Sequence, residues 1–377
     1  MVTFLHTADL QLGMRARDAS ARGQALREAR LTTLQTIVDV ARARAVDFLV
    51  IAGDLFEDNQ VHARTVARAV QILHGAAPIP VFILPGNHDP LDSGSVYHRA
   101  EFRPPHSANI TVLRAAEPLP VRDDCLLYPC PLTDRWSYAD PTAWIPPREA
   151  ETRIRIGIAH GGLPIRPEVE HPIGIDAAAM GLDYLALGDW HGQSLHHGAV
   201  AYAGTPEQTS FGEDGAGAVL LVTIAAAGSP PVIESHPVNT LTCAEWTREL
   251  AGAPDAALQG VRDAISALPE GKTTVLRLTL TGVVPADALP QVDALAVWLA
   301  ARADNGDLLH AECRRAVQTT EAREHALRAL AEGDPLIQQV LDDLRERAGA
   351  EDAPADERQA AEDAIALLAG LAMEVAA

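Results

Sequence analysis

Apolar and polar residues alternate along the first 90 residues in blocks that predict strand, helix, strand, helix and strand. Residues 2–6, 48–51 and 81–84 are short apolar runs. Between them, residues 22–44 and 61–73 carry apolar positions at the spacing of an amphipathic helix. This order is typical of a parallel sheet with crossover helices, in which ligands bind beyond the carboxyl ends of the strands.

Shorter strands are predicted farther along, and the pattern changes near residue 237. We expect strands at 110–113, 125–128, 154–159, 184–187 and 200–203, then a hairpin of 217–224 and 232–236. After it come a predicted helix over 243–268, a strand over 274–280, a helix over 290–303, the unassigned stretch 308–315, and two helices separated by a break at 350–356. The predicted organisation is a large α/β domain (1–238), a small α/β domain (239–318) and an acidic helical tail (319–377).

The composition supports a folded protein and limits its function. With 47% hydrophobic residues in a chain of 377, the sequence can form a substantial core, which excludes general disorder. The net charge of −21 argues against a protein that simply coats nucleic acid. The charge is uneven, however: residues 1–110 contain 11 Arg and 11 acidic residues, whereas residues 321–377 contain 5 Arg and 14 acidic residues. The first domain can therefore still present a cleft that is locally positive or neutralised by metal ions.

The chain carries no signal for a membrane. No uncharged apolar run reaches the roughly 18 residues of a membrane span. The first residues, MVTFLHTADLQLG, lack the basic and apolar regions of a secretion signal and already have the pattern of a strand. We therefore expect a cytoplasmic protein without a membrane anchor.

Five polar clusters directly follow predicted strands. They are Asp9 with Gln11, Gly53-Asp54, Gly86-Asn87-His88-Asp89, His160, and Asp189 with His191. Any one of them alone is more often a helix cap or a packed side chain. Independent helix caps would not be expected to place Asp, Asn and His at one strand end after another. Together they supply the mixed oxygen and nitrogen ligands that Mn²⁺, Fe²⁺ and Zn²⁺ accept, and this indicates a metal site.

These clusters resemble the motifs of the calcineurin-like metallophosphoesterases, and most of all those of the DNA-repair nucleases of the bacterial SbcD type and their YhaO-like relatives. The resemblance extends over about residues 1–238 and rests on His6-Thr7-Ala8-Asp9-Leu10-Gln11-Leu12-Gly13, Gly53-Asp54-Leu55-Phe56, Gly86-Asn87-His88-Asp89 and Tyr202-Ala203-Gly204-Thr205-Pro206-Glu207. It implies a four-layer αββα sandwich, followed by a smaller C-terminal α/β capping domain and a helical tail.

The resemblance also implies a role for each site residue. Two adjacent divalent ions would be bridged by Asp54, the first bound also by Asp9, Gln11 and His191, and the second by Asn87, His160 and Asp189. His88 would bind no metal. It would face the scissile phosphate and either donate a proton to the leaving oxygen or stabilise charge in the transition state, with Asp89 orienting it.

Two positions depart from the family pattern, which usually carries His where Gln11 and Asp189 stand. An amide oxygen is a weak ligand, so Gln11 is expected to weaken the first site. A carboxylate hardens the ligand set of the second ion, so Asp189 is expected to favour Mn²⁺ or Mg²⁺ over softer metals. An active nuclease with altered metal preference fits these changes, and so does a protein that has lost part of its activity.

The resulting interpretation is a dimetal phosphodiesterase that acts at DNA ends as partner of a coiled-coil SMC-like ATPase of the SbcC type. The expected ions are Mn²⁺, with Mg²⁺, Fe²⁺ or Zn²⁺ as alternatives, and a homodimer is possible. Two other functions remain open. One is a phosphodiesterase or phosphatase of the same superfamily acting on a small nucleotide or a phosphoprotein. The other is a weakly active scaffold subunit, for which Gln11 is the argument.

Overall fold

The computed structural model describes residues 1–14, 21–105, 107–164, 170–174, 180–208, 210–250, 254–268, 273–350 and 352–376, without the side chains of 21, 22 and 373–376. Within them the strands are β1 (Val2–Thr7), β2 (Phe48–Ala52), β3 (Val81–Leu84), β4 (Ile110–Val112), β5 (Leu119–Arg122), β6 (Cys125–Cys130), β7 (Ile154–His160), β8 (Tyr184–Gly188), β9 (Ser194–His196), β10 (Val200–Tyr202), β11 (Ala218–Ile224), β12 (Val232–Pro237), β13 (Thr242–Glu249), β14 (Thr274–Val284) and β15 (His310–Thr319). The helices are α1 (Ala21–Ala43), α2 (Ala63–His74), α3 (Pro254–Ser266), α4 (Leu289–Asp304), α5 (Thr320–Gly333), α6 (Pro335–Gly349) and α7 (Ala355–Ala376).

The chain divides into two compact units, Met1–Cys243 and Ala244–Ala377. The first contains two six-stranded sheets, with strand orders β12-β11-β1-β2-β3-β4 and β5-β6-β7-β8-β10-β9. The second contains a three-stranded sheet of order β13-β14-β15, together with helices α3 to α7. The chain is therefore a mixed α/β protein with a helical C-terminal segment, as expected from the sequence.

The predicted βαβ pattern is confirmed in the first sheet. Strands β1, β2, β3 and β4 pair in parallel, and the predicted hairpin of β11 and β12 joins antiparallel to β1. In the second sheet, β6, β7, β8 and β10 are parallel, with short antiparallel strands β5 and β9 at its two edges. In each sheet, the carboxyl ends of the parallel strands therefore lie side by side at the same end of the sheet.

Alternate strand residues form the cores of the first unit. Between the sheets, Phe4, Phe48 and Val50 of the first sheet pack with Ile156 and Ala186 of the second. On the outer face of the first sheet, α1 and α2 bury Leu34, Ile37, Val66, Val70 and Leu73 against Leu5, Leu49 and Ile83. Helices, sheet and sheet thus form three successive layers, which hold the strand ends in place.

The outer face of the second sheet has its own apolar cluster. Tyr128, Leu185 and Leu187 pack there against Ile145, Leu163 and Ile173 from the connections between strands. No helix covers this face among the residues described between β6 and β8, and 165–169 and 175–179 fall outside them. The described connections that pack on this face occupy the position of the fourth layer.

In the second unit, one predicted helix is wrong at its start and two strands are more extensive than the sequence predicted. The helix expected over 243–268 is wrong at its start, because residues 242–249 form β13 and the helix begins at Pro254. Alternate residues Ala244 and Trp246 pack against the core of this unit, which is the period of a strand. Strand β14 is longer than predicted, and the unassigned stretch forms most of β15, which pairs with β14 in parallel.

The last three helices form a small bundle. Leu327, Ala331, Leu341 and Ala369 are buried together between α5, α6 and α7, so part of the apolar surface of these helices packs within this unit. Other apolar side chains of the bundle remain in solvent: Leu336 on α6, and Leu367 and Leu371 on α7. Among the described helices, none combines the length and the apolar character needed to cross a membrane.

His6 joins the two sheets through a buried polar contact. It is fully buried, its Nδ1 lies 2.9 Å from the hydroxyl of Tyr184, and its Nε2 lies 3.1 Å from the carbonyl of Leu187. The carbonyl can only accept, so Nε2 carries the proton of the neutral ring. Burial lowers the pKa of His6 to about 3, although the Leu187 carbonyl opposes this shift. The ring is therefore neutral in the folded protein.

We expect His6 to make stability depend on pH. Its pKa lies below the unfolded value of about 6.5, so the unfolded state binds the extra proton and folding weakens as the pH falls below that value. Between pH 7.5 and 5.5, the wild type should lose about 1 kcal/mol more free energy of unfolding than His6→Gln. Urea unfolding of both proteins at the two pH values measures this difference, and equal losses would contradict a buried neutral His6.

Candidate metal centre

Side chains from three strand ends in the two sheets meet at one point. Asp9 follows β1, Asp54 follows β2, and His160 is the last residue of β7. One ligand atom from each of the three lies within 4.8 Å of the other two, and all three residues are buried. His160 also links the sheets directly, because its Nδ1 lies 2.9 Å from the carbonyl oxygen of Ala52 on β2. The carboxyl ends of both sheets therefore converge on one candidate metal site.

The backbone around this site is strained. Seven non-glycine residues have a left-handed conformation within the described part of the chain, and four of them are predicted ligands: Asp9 (φ 54°), Gln11 (φ 44°), Asp54 (φ 53°) and Asp189 (φ 98°). Such conformations cost about 1–3 kcal/mol each and persist where the surrounding structure enforces them. Their concentration at the strand ends indicates that they position functional side chains.

Two glycines leave room for the ligands. A Cβ at Gly86 would collide with Asp54 Oδ1, and a Cβ at Gly53, which has φ 97°, would collide with the His160 ring. Only glycine allows the backbone to approach these side chains so closely. This explains why glycine directly precedes Asp54 and Asn87 in the two sequence motifs.

Asn87 and Asp189 complete the first group of donors. His160 Nε2 lies 3.1 Å from Asn87 Oδ1, 3.4 Å from Asp54 Oδ1 and 3.9 Å from Asp189 Oδ1. Since Nδ1 of His160 donates its proton to the Ala52 carbonyl, Nε2 of the neutral ring offers a lone pair. The atoms that face one another are then all acceptors, which suits a shared cation and not a hydrogen-bond network. The residues present therefore fit a divalent metal ion.

The electrostatics of the buried carboxylates agree with this fit. Burial raises the pKa of Asp9 to about 7, with a further upward contribution from Asp54 that His160 opposes. Burial also raises the pKa of Asp54, but the charge of His160 and its hydrogen bond outweigh burial and hold that pKa below its usual value. Burial lowers the pKa of His160, and Asp54 overcomes this and raises it. Without a metal ion, bound protons offset the negative charge of these buried carboxylates. A divalent cation can offset the same charge instead.

Gln11 and His191 form a second group. Gln11 Nε2 lies 3.3 Å from His191 Nε2, so in this orientation the amide donates to the imidazole. To act as a ligand, the amide must turn over and present its oxygen. The loops that carry these two residues are joined beside them, since both carboxylate oxygens of Asp9 accept from the backbone NH of Asp189, at 3.1 and 3.2 Å.

Glu213 orients His191, and the sequence did not indicate it as a site residue. Its Oε1 lies 3.0 Å from His191 Nδ1, and its Oε2 accepts from the backbone NH of Ser210 at 3.0 Å. The hydrogen bond that His191 donates to Glu213 raises the pKa of His191 and directs the Nε2 lone pair toward Gln11. Nothing in the segment FGEDGAG marks this role, since an acidic residue in a glycine-rich loop is commonly only a solvated one.

We expect Glu213→Gln to weaken metal binding without unfolding the protein. A carboxylate that holds a ligating histidine typically contributes 10- to 100-fold to metal affinity or activity. The variant should therefore need about 10- to 100-fold more Mn²⁺ for half-maximal turnover. Titration of activity against Mn²⁺ measures this, with Glu234→Gln on the exposed strand β12 as control. An unchanged half-maximal concentration would show that Glu213 does not support a ligand.

His88 lies beside the carboxylate group and is held by backbone contacts. Its NH donates to Asp54 Oδ1 at 3.0 Å, and its ring Nδ1 lies 2.9 Å from the carbonyl of Glu57. A carbonyl only accepts, so Nδ1 carries a proton and Nε2 is the atom left for a substrate. The orienting partner of the His88 ring is therefore the Glu57 backbone.

Asp89 acts on the loop and not on the His88 ring. Its Oδ1 accepts from the NH of Gly86 at 2.8 Å, and its Oδ2 accepts from the NH of Phe56 at 2.9 Å and the hydroxyl of Tyr97 at 2.6 Å. Burial, followed by the charge of Asp54, raises the pKa of this carboxyl to about 6. The expected contact with the ring is thus replaced by a network that fixes the two motif loops, because both carboxylate oxygens are already engaged.

Arg30 is a second residue that sequence reasoning missed. It is buried on α1 and donates to the carbonyl oxygens of Leu10, at 2.5 Å, and Gln11, at 3.4 Å. These contacts hold the loop that carries Asp9 and Gln11. The signal was available, since Arg30 lies on the same helical face as Leu34, Ile37 and Ala41, where a charged residue is unusual unless it has partners.

Comparison with known proteins agrees with this geometry. The family model for the calcineurin-like phosphoesterases matches residues 2–193, which include every predicted ligand. The DNA double-strand break repair protein Mre11 of Archaeoglobus fulgidus is 36% identical over 101 residues, which are 26% of this chain and 22% of that protein. The uncharacterized metallophosphoesterase YhaO of Bacillus subtilis is 26% identical over 308 residues, 75% of this chain and 72% of that protein.

The chain thus spans about a fifth of the archaeal protein and about seven tenths of the bacterial one. The family match covers about half of the chain and coincides with the strands that carry the converging donors. The chain belongs to the calcineurin-like phosphoesterase family and is a metallophosphoesterase with a candidate metal-binding site.

Proposed function

We propose that this metallophosphoesterase is a dimetal phosphodiesterase that hydrolyses phosphodiester bonds at DNA ends. One observation carries the proposal: the convergence of the Asp9, Asp54 and His160 ligand atoms within 4.8 Å, at an edge that also holds His88. The choice of DNA draws support from the similarity to the archaeal relative, a DNA double-strand break repair protein.

The proposed ligand sets divide these donors between two ions. Asp54 would bridge both ions, with Asp9, Gln11 and His191 on the first, and Asn87, His160 and Asp189 on the second. Carboxylate and amide oxygens dominate these sets, which favours Mn²⁺ or Mg²⁺ over softer metals. When bound, such ions supply Lewis-acid activation of the phosphodiester and of the attacking water.

His88 would move the proton. Because the Glu57 carbonyl accepts from Nδ1, Nε2 is the ring atom left for the substrate; from the doubly protonated ring, the Nε2 proton would pass to the leaving oxygen or stabilise charge there. Asp54 fixes the position of the His88 backbone, so the proton donor is tied to the same residue that would bridge the ions. Asp89 would act indirectly by holding the loops of Asp54 and Asn87 together.

Hydrolysis assays distinguish this function from its rivals within the family. With Mn²⁺, the purified protein should hydrolyse single-stranded DNA and bis-p-nitrophenyl phosphate faster than with Zn²⁺. Cyclic nucleotides and phosphopeptides should be poorer substrates than DNA. A clear preference for one of those compounds would assign the site to a small nucleotide or a phosphoprotein, and would contradict the nuclease proposal.

Gln11→His separates a tuned catalyst from a decayed one. The imidazole offers a stronger neutral ligand of similar reach in place of an amide that here donates to His191. In an active enzyme, the substitution should tighten the first ion and shift the preference toward softer metals while activity persists. Metal-dependence curves of both proteins measure this. A nearly inert wild type that Gln11→His rescues would support the scaffold function instead.

The proposal includes a protein partner, a coiled-coil SMC-like ATPase. The support is limited to exposed apolar side chains on α6 and α7, namely Leu336, Leu367 and Leu371. Large apolar side chains that remain in solvent on one bundle are often contact points for another protein. Co-purification with a coiled-coil SMC-like ATPase of the same organism, compared between the wild type and a Leu336/Leu367/Leu371 to Ser variant, tests this part of the proposal; equal recovery with both proteins would contradict it.

A further inference from the structure

The loop that follows β6 exposes two large aromatic side chains. Trp136 is 64% exposed and Tyr138 is 84% exposed, although the whole chain contains only five Trp and five Tyr. The guanidinium of Arg135 lies 5.7 Å from the centre of the Trp136 ring. Two aromatic rings and a cation within four residues offer flat faces and positive charge to solvent. The packing of the domain does not account for this exposure.

This loop leaves its sheet at the edge that carries the metal centre. Cys130, the last residue of β6, pairs with Ala159, the residue before His160 on the neighbouring parallel strand. The next residues contact the loop of His88, since Leu132 accepts from the NH of Leu91 at 2.9 Å and donates to the carbonyl of Pro85 at 3.3 Å. Trp136 follows Leu132 by four residues, so its backbone lies within about 14 Å of this contact.

The backbone on both sides of Trp136 is held in place. Buried His171 donates from its backbone NH to the carbonyl of Ser137 at 2.7 Å, and its ring Nε2 lies 3.1 Å from the carbonyl of Arg135. Asp140 anchors the end of the loop by accepting from the NH of Gly174 at 3.1 Å. The aromatic side chains are therefore exposed on an ordered backbone, which lowers the entropic cost of binding a ligand there.

We propose that Arg135, Trp136 and Tyr138 form a stacking platform for unpaired bases of a DNA strand whose phosphodiester lies at the metal centre; this inference rests on the proposed function. Every base has a face that can stack on an aromatic ring, so the platform binds single strands without reading their sequence. Bases in an intact duplex already stack on one another and offer no free face. The platform therefore selects single-stranded ends, and Arg135 adds charge for the phosphates.

Kinetics on two strands test the platform. The first is a short single-stranded oligonucleotide, and the second has the same backbone with abasic nucleotides in place of its bases. Trp136→Ala should raise KM for the normal strand at least about 5-fold, the lower end of the effect of losing one base–aromatic stack, and change kcat less. Tyr138→Ala should act in the same direction. Trp136→Phe should keep most of the affinity, because it keeps a ring.

The abasic strand tests whether the Trp136 ring and the bases contribute to the same contact. Wild type should bind it more weakly than the normal strand by at least this factor, since the Tyr138 stack is lost as well. On the abasic strand Trp136→Ala should show no additional loss, because ring and base contribute to the same contact. A fluorescent 2-aminopurine base should lose emission on binding to the wild type and keep more of it with Trp136→Ala. Leu195→Ala, which removes another exposed apolar side chain of this unit, should behave as wild type.

Three results would overturn the platform. One is equal KM values for wild type and Trp136→Ala on the normal strand. Another is a loss of the same size on both strands, which would place Trp136 in a backbone or structural role. The third is a change of Trp136→Ala from dimer to monomer in light scattering, which would make the loop an interface between copies. If the wild type neither binds nor hydrolyses DNA, the proposed function fails as well, whereas DNA hydrolysis without coupling contradicts the platform alone.

Discussion

Asp54→Ala should lose both divalent ions and at least about 10³-fold in phosphodiesterase turnover, more than the loss of a residue that only orients a ligand. Asp54 is buried, its Oδ1 faces His160 Nε2 at 3.4 Å, and the same oxygen holds the backbone of His88 at 3.0 Å. Removing this carboxylate therefore removes the common ligand and loosens the proton donor. Metal analysis after dialysis against Mn²⁺, together with turnover of bis-p-nitrophenyl phosphate, measures both effects.

The matched control is Asp39→Ala, which removes an exposed carboxylate from α1 whose described partner is Gln35 of the same helix. It should keep two ions and wild-type turnover. Circular dichroism of both variants separates loss of metal from loss of fold. An Asp54→Ala protein that is folded and still binds two ions would contradict the bridging role.

His88→Ala should lower turnover of DNA by about 10²–10⁴-fold, the usual contribution of one general acid, while both ions remain bound. The His88 ring contacts the Glu57 carbonyl and not the converging donors, so its removal leaves the proposed ligand set intact. The size of the loss should depend on the leaving group. p-Nitrophenolate needs little protonation, so the loss on bis-p-nitrophenyl phosphate should be smaller than the loss on DNA.

This dependence distinguishes the two roles considered for His88. A residue that only stabilises charge on the phosphate should produce similar losses on both substrates. His74→Ala is the control, since His74 is exposed and bonds to Asn109 at the opposite, amino-terminal edge of the first sheet. Loss of metal from His88→Ala would contradict the assignment of His88 as a proton donor.

Much of the first unit could be predicted from the sequence because its signals are local. Apolar runs such as 48–51 and 81–84 are too short for helices, and the helical periodicity between them implies crossover connections, so β1, β2 and β3 had to be parallel. Parallel strands place their carboxyl ends at one edge. The proximity of Asp9 to Asp54 therefore follows from the sequence pattern, before any coordinates.

The parts that could not be predicted depend on contacts between distant residues. Residues 242–249 form a strand because they pair in a sheet with β14, some 30 residues later, and no local signal records that pairing. Similarly, Asp89 was expected beside the His88 ring, but the preference of its two oxygens for Gly86, Phe56 and Tyr97 is set by packing of the loops. Glu213 contacts His191 from 22 positions farther along the chain, beyond strands β9 and β10.

The number of Mn²⁺ ions bound per chain at saturation tests the central claim most directly. Equilibrium dialysis followed by elemental analysis gives this number without reference to substrate or activity. The convergence of Asp9, Asp54 and His160, with Asn87, Asp189 and the Gln11–His191 pair around them, predicts two ions per chain. One ion or none at saturating Mn²⁺ would contradict the dimetal centre.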